Sequence, residues 1–210
     1  LDTAANYLTR PPKRSDVLSV FAGLRPLAAP RSEGKKTKEI SRSHKLIREK
    51  SGLITIIGGK WTTYRKMAQD TLDLAIRYMH IPTKDCITER YQIHGSRKNP
   101  DFSDPLYVYG TDADEIRNLV ASSPAMAEKL HPDYAYTVGE VTWLVRNEMP
   151  RTLEDVLARR LRILFLDARA AMAMAPKVAG ILATEWGKDE TWTSAQVKAF
   201  NEVASNYILN

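Results

Sequence analysis

The sequence predicts an α+β chain: a short stretch of strands with one helix, followed by an all-α C-terminal half. Three observations predict it. A buried-strand candidate at 17–22 and a continuous β-branched run at 53–57 are both confined to the first third of the chain. Apolar residues recur at three- and four-residue spacing from Tyr64, and again through most of the chain beyond 106. Between these, 83–105 carries Gly95, Pro100 and Pro105 with few apolar clusters, which is the composition of a connector. The chain therefore divides into residues 1–82, a linker at 83–105 and a helical domain at 106–210.

Taken in order, a short helix or turn ends at Pro11-Pro12, because proline disfavours helix in the residue before it. Residues 17–22 read as a buried strand bounded by Gly23 and Pro26. Residues 31–50 hold eight basic side chains and only Ile40, Leu46 and Ile47 as long aliphatics, so they read as a loop and an exposed hairpin that turns at Ser51-Gly52. Residues 53–57 read as a strand covered on both faces and ended by Gly58-Gly59. The next helix carries one apolar stripe through Tyr64, Met67, Ala68, Thr71, Leu72, Ala75 and Met79, with Pro82 just past its end. In the helical half, Asp112 or Asp114 caps a helix through Val120, and Thr137 or Gly139 precedes one holding Val141, Leu144 and Val145. Thr152 with Asp155 forms a capping box that opens a long helix through Arg169, with Val156, Leu157, Leu161, Leu164 and Phe165 on its inner face. Pro176 reads as the start of another helix, and Thr193 or Ser194 as the cap of the last, which holds Val197, Phe200 and Val203.

Composition narrows the function classes. No run of 18 apolar residues occurs, so no segment reads as a membrane span. Cys86 is the only cysteine, which rules out an intrachain disulfide and a cysteine-based zinc site and fits a reducing compartment. The net charge of +6 is unevenly spread: residues 1–66 hold 15 Lys/Arg against 5 Asp/Glu, whereas the remainder is net acidic. An anionic partner for the first part is therefore expected, with phosphate, nucleic acid and anionic lipid as the choices. Nucleic acid is disfavoured, because the basic run 31–50 has no aromatic side chain on which a base could stack. The first residues, Leu1 to Tyr7, have neither an initiator Met nor a signal pattern and read as the middle of a helix, so the chain is expected to begin partway through a longer protein.

Two junctions carry chemistry. Gly23-Leu24-Arg25-Pro26-Leu27 holds Arg25 at a strand end, where its planar guanidinium would fit a carboxylate or phosphate; a structural ion pair is the alternative. Gly58-Gly59-Lys60-Trp61-Thr62 joins a strand to a helix, so free amides and the positive helix end meet at a turn that lets a ligand come close. It is no Walker loop: Ile54 stands where the first glycine belongs, and Trp61 follows the lysine. His44, His80, His94 and His131 are scattered without metal-ligand spacing and read as solvated surface residues; no metal site is expected. Glu140, Glu148, Asp155, Arg159 and Arg160 read as a partly buried ion-pair network that ties helices together.

With these junctions in hand, the chain resembles the FAD-dependent glycerol-3-phosphate dehydrogenase and glycerophosphate oxidase family. The resemblance runs through Ala22-Gly23-Leu24-Arg25-Pro26-Leu27, Ser41-Arg42 with His44, and the stretch from Gly58 to Ala68. It continues through Tyr109-Gly110-Thr111, Glu140-Val141, Arg146-Asn147-Glu148-Met149 and the stretch from Thr152 to Arg160. It implies that residues 1–82 are the C-terminal part of an FAD-binding and substrate domain, and that 106–210 is the family's helical cap. It implies that Arg25 reaches the phosphate of glycerol 3-phosphate, with Lys60 in the same pocket beside the flavin. Gly58, Gly59, Lys60, Trp61 and Thr62 would line the pyrimidine side of FAD. The GxGxxG fingerprint of the family is absent, and the general base is expected upstream, so this stretch alone is expected neither to hold FAD tightly nor to oxidise substrate. Dihydroxyacetone phosphate would be the product and quinone or oxygen the electron acceptor. A homodimer, and a cytoplasmic enzyme peripheral to an anionic membrane surface, are the implied settings. No acidic calcium-binding loop follows the helices, which points to a bacterial-type enzyme.

Overall fold

The computed structural model describes residues 1–24 and 43–209, and Arg25 with most of the basic run lies outside them. The described chain forms two compact units, one of residues 1–22 with 94–210 and one of residues 23–93.

The larger unit is built on α7 (Ala168–Trp186), a 19-residue helix with Asp167 at its N-cap and Gly187, at φ +62°, closing its C-terminus. Ala170, Ala171, Ala175 and Ala179 line its inner face, so neighbouring backbones come close, while Met174, Val178 and Leu182 fill the space between them. It packs against α5 (Val138–Asn147), α6 (Ile163–Leu166) and α8 (Glu190–Ser205). Residues Gly139 to Val145 of α5 are all buried, so this helix is enclosed on every side rather than amphipathic. Ahead of it lie α3 (Ala113–Ala121), anchored by fully buried Ile116, and the single turn α4 (Pro124–Ala127), capped by Ser123. Each fully buried Leu, Ile or Met contributes about 1.5–3 kcal/mol by leaving water.

Several expectations change here. Residues 17–22 are extended but, among the described residues, pair with no strand. Val20 N–H donates to Tyr207 O at 2.8 Å, Ala168 N–H donates to Leu18 O at 3.1 Å, and the Ser19 hydroxyl donates to Leu164 O at 2.7 Å. Helix ends leave carbonyls and amides unpaired, and this segment supplies their partners. The capping box at Thr152 is present: the Asp155 carboxylate accepts from the amides of Arg151 and Thr152 and from the Thr152 hydroxyl, and the Thr152 hydroxyl accepts from Asp155 N–H. The helix it opens does not run to Arg169. A π-helical turn covers Asp155–Arg160, Arg162 adopts the left-handed conformation at φ +61°, and α6 and α7 follow as separate helices. Pro176 lies inside α7 rather than at its start, and Asp189 rather than Thr193 or Ser194 caps α8. Asp112 does precede α3, and Thr137 caps α5 through Glu140 N–H.

In the second unit a two-stranded antiparallel ribbon forms: β1 (Lys45–Arg48) pairs with β2 (Ile54–Ile57) in the register Lys45 to Ile57. The turn falls at Ser51-Gly52 as predicted, with Gly52 N–H donating to Glu49 O. All four β2 residues are half-buried, so the expectation of cover on both faces fails for the described residues. After a 3-10 turn at Trp61–Thr63 comes α2 (Tyr64–Met79), ended by left-handed His80. The inward face of α2 runs through Met67, Thr71, Leu74 and Ala75, whereas Tyr64, Ala68, Leu72 and Met79 of the expected stripe are exposed. The remaining helical segment, α1 (Asp2–Ala5), is a single turn belonging to the larger unit.

Candidate functional site

The strand–glycine–helix junction forms as its sequence requires. Gly58 and Gly59 have φ of +75° and +89°, so two successive residues occupy backbone space that L side chains avoid. A methyl group at Gly59 would meet the Met67 sulfur, and its Cε at 2.6 Å, which the flexible methionine could relieve by moving; the φ of +89° is what favours glycine there. Lys60 is extended and opens the 3-10 turn; its N–H donates to the Thr63 hydroxyl at 3.3 Å, and that hydroxyl donates to Lys60 O at 3.1 Å. The first-turn amides at Trp61 and Thr62 have no acceptor within their own helix. Lys60, Trp61 and Thr62 are all exposed, the Trp61 ring at 86% and stacked on Tyr64 at 5.4 Å. The turn therefore offers amides, an ammonium group and an aromatic face on one short stretch.

His44 supports the turn from below. Its Cβ lies beside Gly59, and its Nε2 is 2.9 Å from Asp70 Oδ2, while Lys66 Nζ holds Asp70 Oδ1 at 2.7 Å. The hydrogen bond from Lys66 keeps the Asp70 carboxyl below its ordinary range, and Asp70 in turn raises Lys66. His44 is thus a partnered, half-buried residue rather than a solvated one. His94 does remain largely exposed, with Nε2 2.8 Å from Asp112 Oδ2. Arg65 reaches Thr88 at 3.2 Å and Glu89 at 3.4 Å, tying α2 to the chain that follows. Cys86 is exposed, and the Thr88 hydroxyl 3.0 Å away pulls its thiol below the usual value.

The predicted ion-pair network forms only in part. Arg160 lies 3.6 Å from Glu148 and donates to the Glu148 carbonyl at 2.6 Å, and Arg159 joins Asp155 at 3.0 Å and Glu154 at 2.6 Å. Glu140 stands apart. It is 4% exposed and accepts from the Tyr109 hydroxyl at 2.6 Å; burial raises its carboxyl to about 7, and the same surroundings push the Tyr109 hydroxyl up. Sequence reasoning took Glu140 for a charge-network member. The signal that could have separated it is its position three residues after Thr137, a capping-box spacing inside an otherwise apolar helix.

Of the predicted site residues, the structure places Gly58, Gly59, Lys60, Trp61 and Thr62 on one continuous turn. Arg25 is outside the described residues, as are Ser41 and Arg42. Among the described residues no group of three or more His, Cys, Asp and Glu side chains could hold a metal ion, and no helix is long and apolar enough to cross a membrane.

Comparison with known proteins bears on this turn and on the helices alike. Residues 53–193 match the family described as the C-terminal domain of alpha-glycerophosphate oxidase. A mitochondrial glycerol-3-phosphate dehydrogenase of Arabidopsis thaliana is 32% identical, over 98% of this chain and 40% of its own length. A probable mitochondrial glycerol-3-phosphate dehydrogenase of Caenorhabditis elegans is 36% identical over 93% of this chain and 29% of its own. The mitochondrial enzyme of Mesocricetus auratus is 31% identical over 99% of this chain and 31% of its own. The chain thus spans between about three tenths and two fifths of the length of these curated relatives.

Proposed function

Because the chain belongs to the family of the C-terminal domain of alpha-glycerophosphate oxidase, we propose that it is part of a flavoenzyme that oxidises sn-glycerol 3-phosphate to dihydroxyacetone phosphate. The observation that carries this reading is the amide-bearing turn at Gly58–Thr62, where two half-buried glycines at positive φ lead into Lys60, Trp61 and Thr62, all exposed at the head of a helix. That turn fits the pyrimidine edge of FAD, which needs hydrogen-bond donors and positive potential beside a flat surface. A bound flavin would accept the hydride released from the substrate carbinol carbon.

The chain's own residues then have separate tasks. The amides of Trp61 and Thr62 and the positive helix end favour negative charge at the flavin's pyrimidine edge, and they are fixed before reaction begins. Lys60 supplies an ammonium group for the substrate phosphate, with the Arg25 guanidinium as its bidentate partner. Holding a dianionic phosphate at two points orients the carbinol carbon toward the flavin. The His44–Asp70–Lys66 cluster keeps Gly59 and its turn in place. Quinone is the proposed electron acceptor, with oxygen as the alternative.

Dye reduction driven by glycerol 3-phosphate tests this in the flavin-loaded, full-length enzyme. R25Q and K60Q should each raise KM by about 10- to 100-fold, the effect of removing one charge-assisted contact worth roughly 1.5–3 kcal/mol. No substrate-dependent reduction, or an unchanged KM in both variants, would sink the assignment.

A further inference from the structure

The strained turn that follows α5, which the proposed flavin chemistry does not use, opens onto a cavity. It encloses about 590 Å³ and is lined by Val145, Met149, Arg151, Trp186, Lys188 and Trp192, all within the helical unit. That volume lies in the range of small-molecule sites.

Three features make it more than a surface dent. The first is aromatic: Trp186 ends α7, Trp192 lies in the first turn of α8, and their rings meet edge to face at 5.7 Å and 77°. The second is charge. Among the described residues Arg151 and Lys188 have no carboxylate partner, whereas Arg146, Arg159 and Arg160 nearby are all paired. Of the acids near Lys188, Glu185 is held by Arg146 at 2.7 Å and Asp189 caps α8 through the Trp192 amide at 2.8 Å. The third is backbone strain. Met149 adopts φ +46° directly before Pro150, where a left-handed residue is disfavoured both by its Cβ and by the proline ring. The conformation is held from both sides, by Arg160 donating to Glu148 O and by Asp155 accepting from Arg151 N–H. It leaves Met149 at the lip, 78% exposed, and turns Arg151 to the cavity.

We propose that this cavity binds a small organic anion with a flat, apolar body. Its anionic group would lie between the Arg151 guanidinium and the Lys188 ammonium, and its flat part against the indoles. A guanidinium and an ammonium together match a phosphate or carboxylate, and among the described residues neither has a carboxylate partner to give up. Indole faces favour planar ligands and exclude water from one side of the charge. The site stands independently of the flavin reading, since it uses none of the residues assigned there.

Isothermal titration calorimetry with adenosine 5′-monophosphate and with 1-naphthoate as probes, together with quenching of tryptophan fluorescence, tests the proposal on the intact protein. At least one probe should saturate a single site, while adenosine, naphthalene and inorganic phosphate, each holding only half of the recognised chemistry, bind about tenfold or more weakly. R151Q and K188Q should each weaken the anionic probe about tenfold, which is near 1.4 kcal/mol, with circular dichroism unchanged. K198Q, on exposed α8 surface, should have no effect. W192F should retain binding with altered quenching. The proposal is overturned if neither probe saturates, if K198Q weakens binding as much as R151Q, or if the only ligand bound is an anionic phosphatidylglycerol vesicle.

Discussion

Glu140 is where a single residue changes the behaviour of the helical unit. Burial beside Tyr109 raises its carboxyl to about 7, against an ordinary value of 4.5. A carboxyl raised on folding contributes stability that is complete below the unfolded value and is lost as pH climbs through the folded one. Its contribution to folding should therefore decline between about pH 4.5 and about pH 7, by roughly 3 kcal/mol at most. E140Q keeps the acceptor for the Tyr109 hydroxyl and removes the ionisation. The difference in melting temperature between E140Q and the parent should thus grow in favour of E140Q across that pH range, and a constant difference would show that Glu140 does not titrate there. Gly110 gives a conformational counterpart. At φ +55° and ψ −120° its backbone excludes other residues, and an added methyl group would strike the Gly95 carbonyl. G110A should cost about 3 kcal/mol or more in chemical denaturation, because backbone meets backbone and neither side can yield.

Among elements, local chemistry was legible wherever it decided the outcome. Thr137 and the Thr152–Asp155 pair lie where their side chains can reach nearby amides, and the structure uses them so. The turn at Gly52 and the junction at Gly58-Gly59 follow for the same reason. What sequence did not reveal depends on tertiary context. Residues 17–22 are apolar because they lie against helix ends, and an apolar run has the same appearance whether a strand or a helix covers it. Arg162 ends the π-helical turn in a left-handed conformation with neither glycine nor asparagine to announce it. Pro176 opens no helix because the alanines and buried Met174, Val178 and Leu182 around it hold α7 through the missing hydrogen bond. That cost remains in the fold and can be recovered. Pro176 faces solvent, so P176A leaves the core alone and restores an amide to the ladder. It should raise the denaturation midpoint by the equivalent of about 1–3 kcal/mol; a loss of stability would mean that the ring makes contacts that outweigh the bond.

At the scale of the whole molecule, the two units differ in what holds them together. The helical unit encloses a continuous set of buried side chains from Ile116 to Ala204, drawn from α3, α5, the π-helical stretch around Asp155–Arg160, α6, α7 and α8. Among the described residues of the second unit none is fully buried; β1, β2 and α2 share half-buried contacts, and Leu53, Trp61, Tyr64, Leu72 and Met79 face water. A two-stranded ribbon with one helix removes too little apolar surface to offset much conformational entropy, so its opening free energy must lie well below that of the helices. Hydrogen exchange resolves the two directly. Amides of α5 and α7 should exchange only through global unfolding, whereas those of β2 and α2 should exchange at least about a hundredfold faster, a gap of roughly 2.7 kcal/mol. The proposed site depends on that low-stability unit, so a ligand that orders the Gly58–Thr62 turn should slow exchange in β2 and α2 and leave α7 unchanged. Equal protection in both units without ligand would show that α2 and the ribbon are stabilised by contacts that half-burial does not reveal.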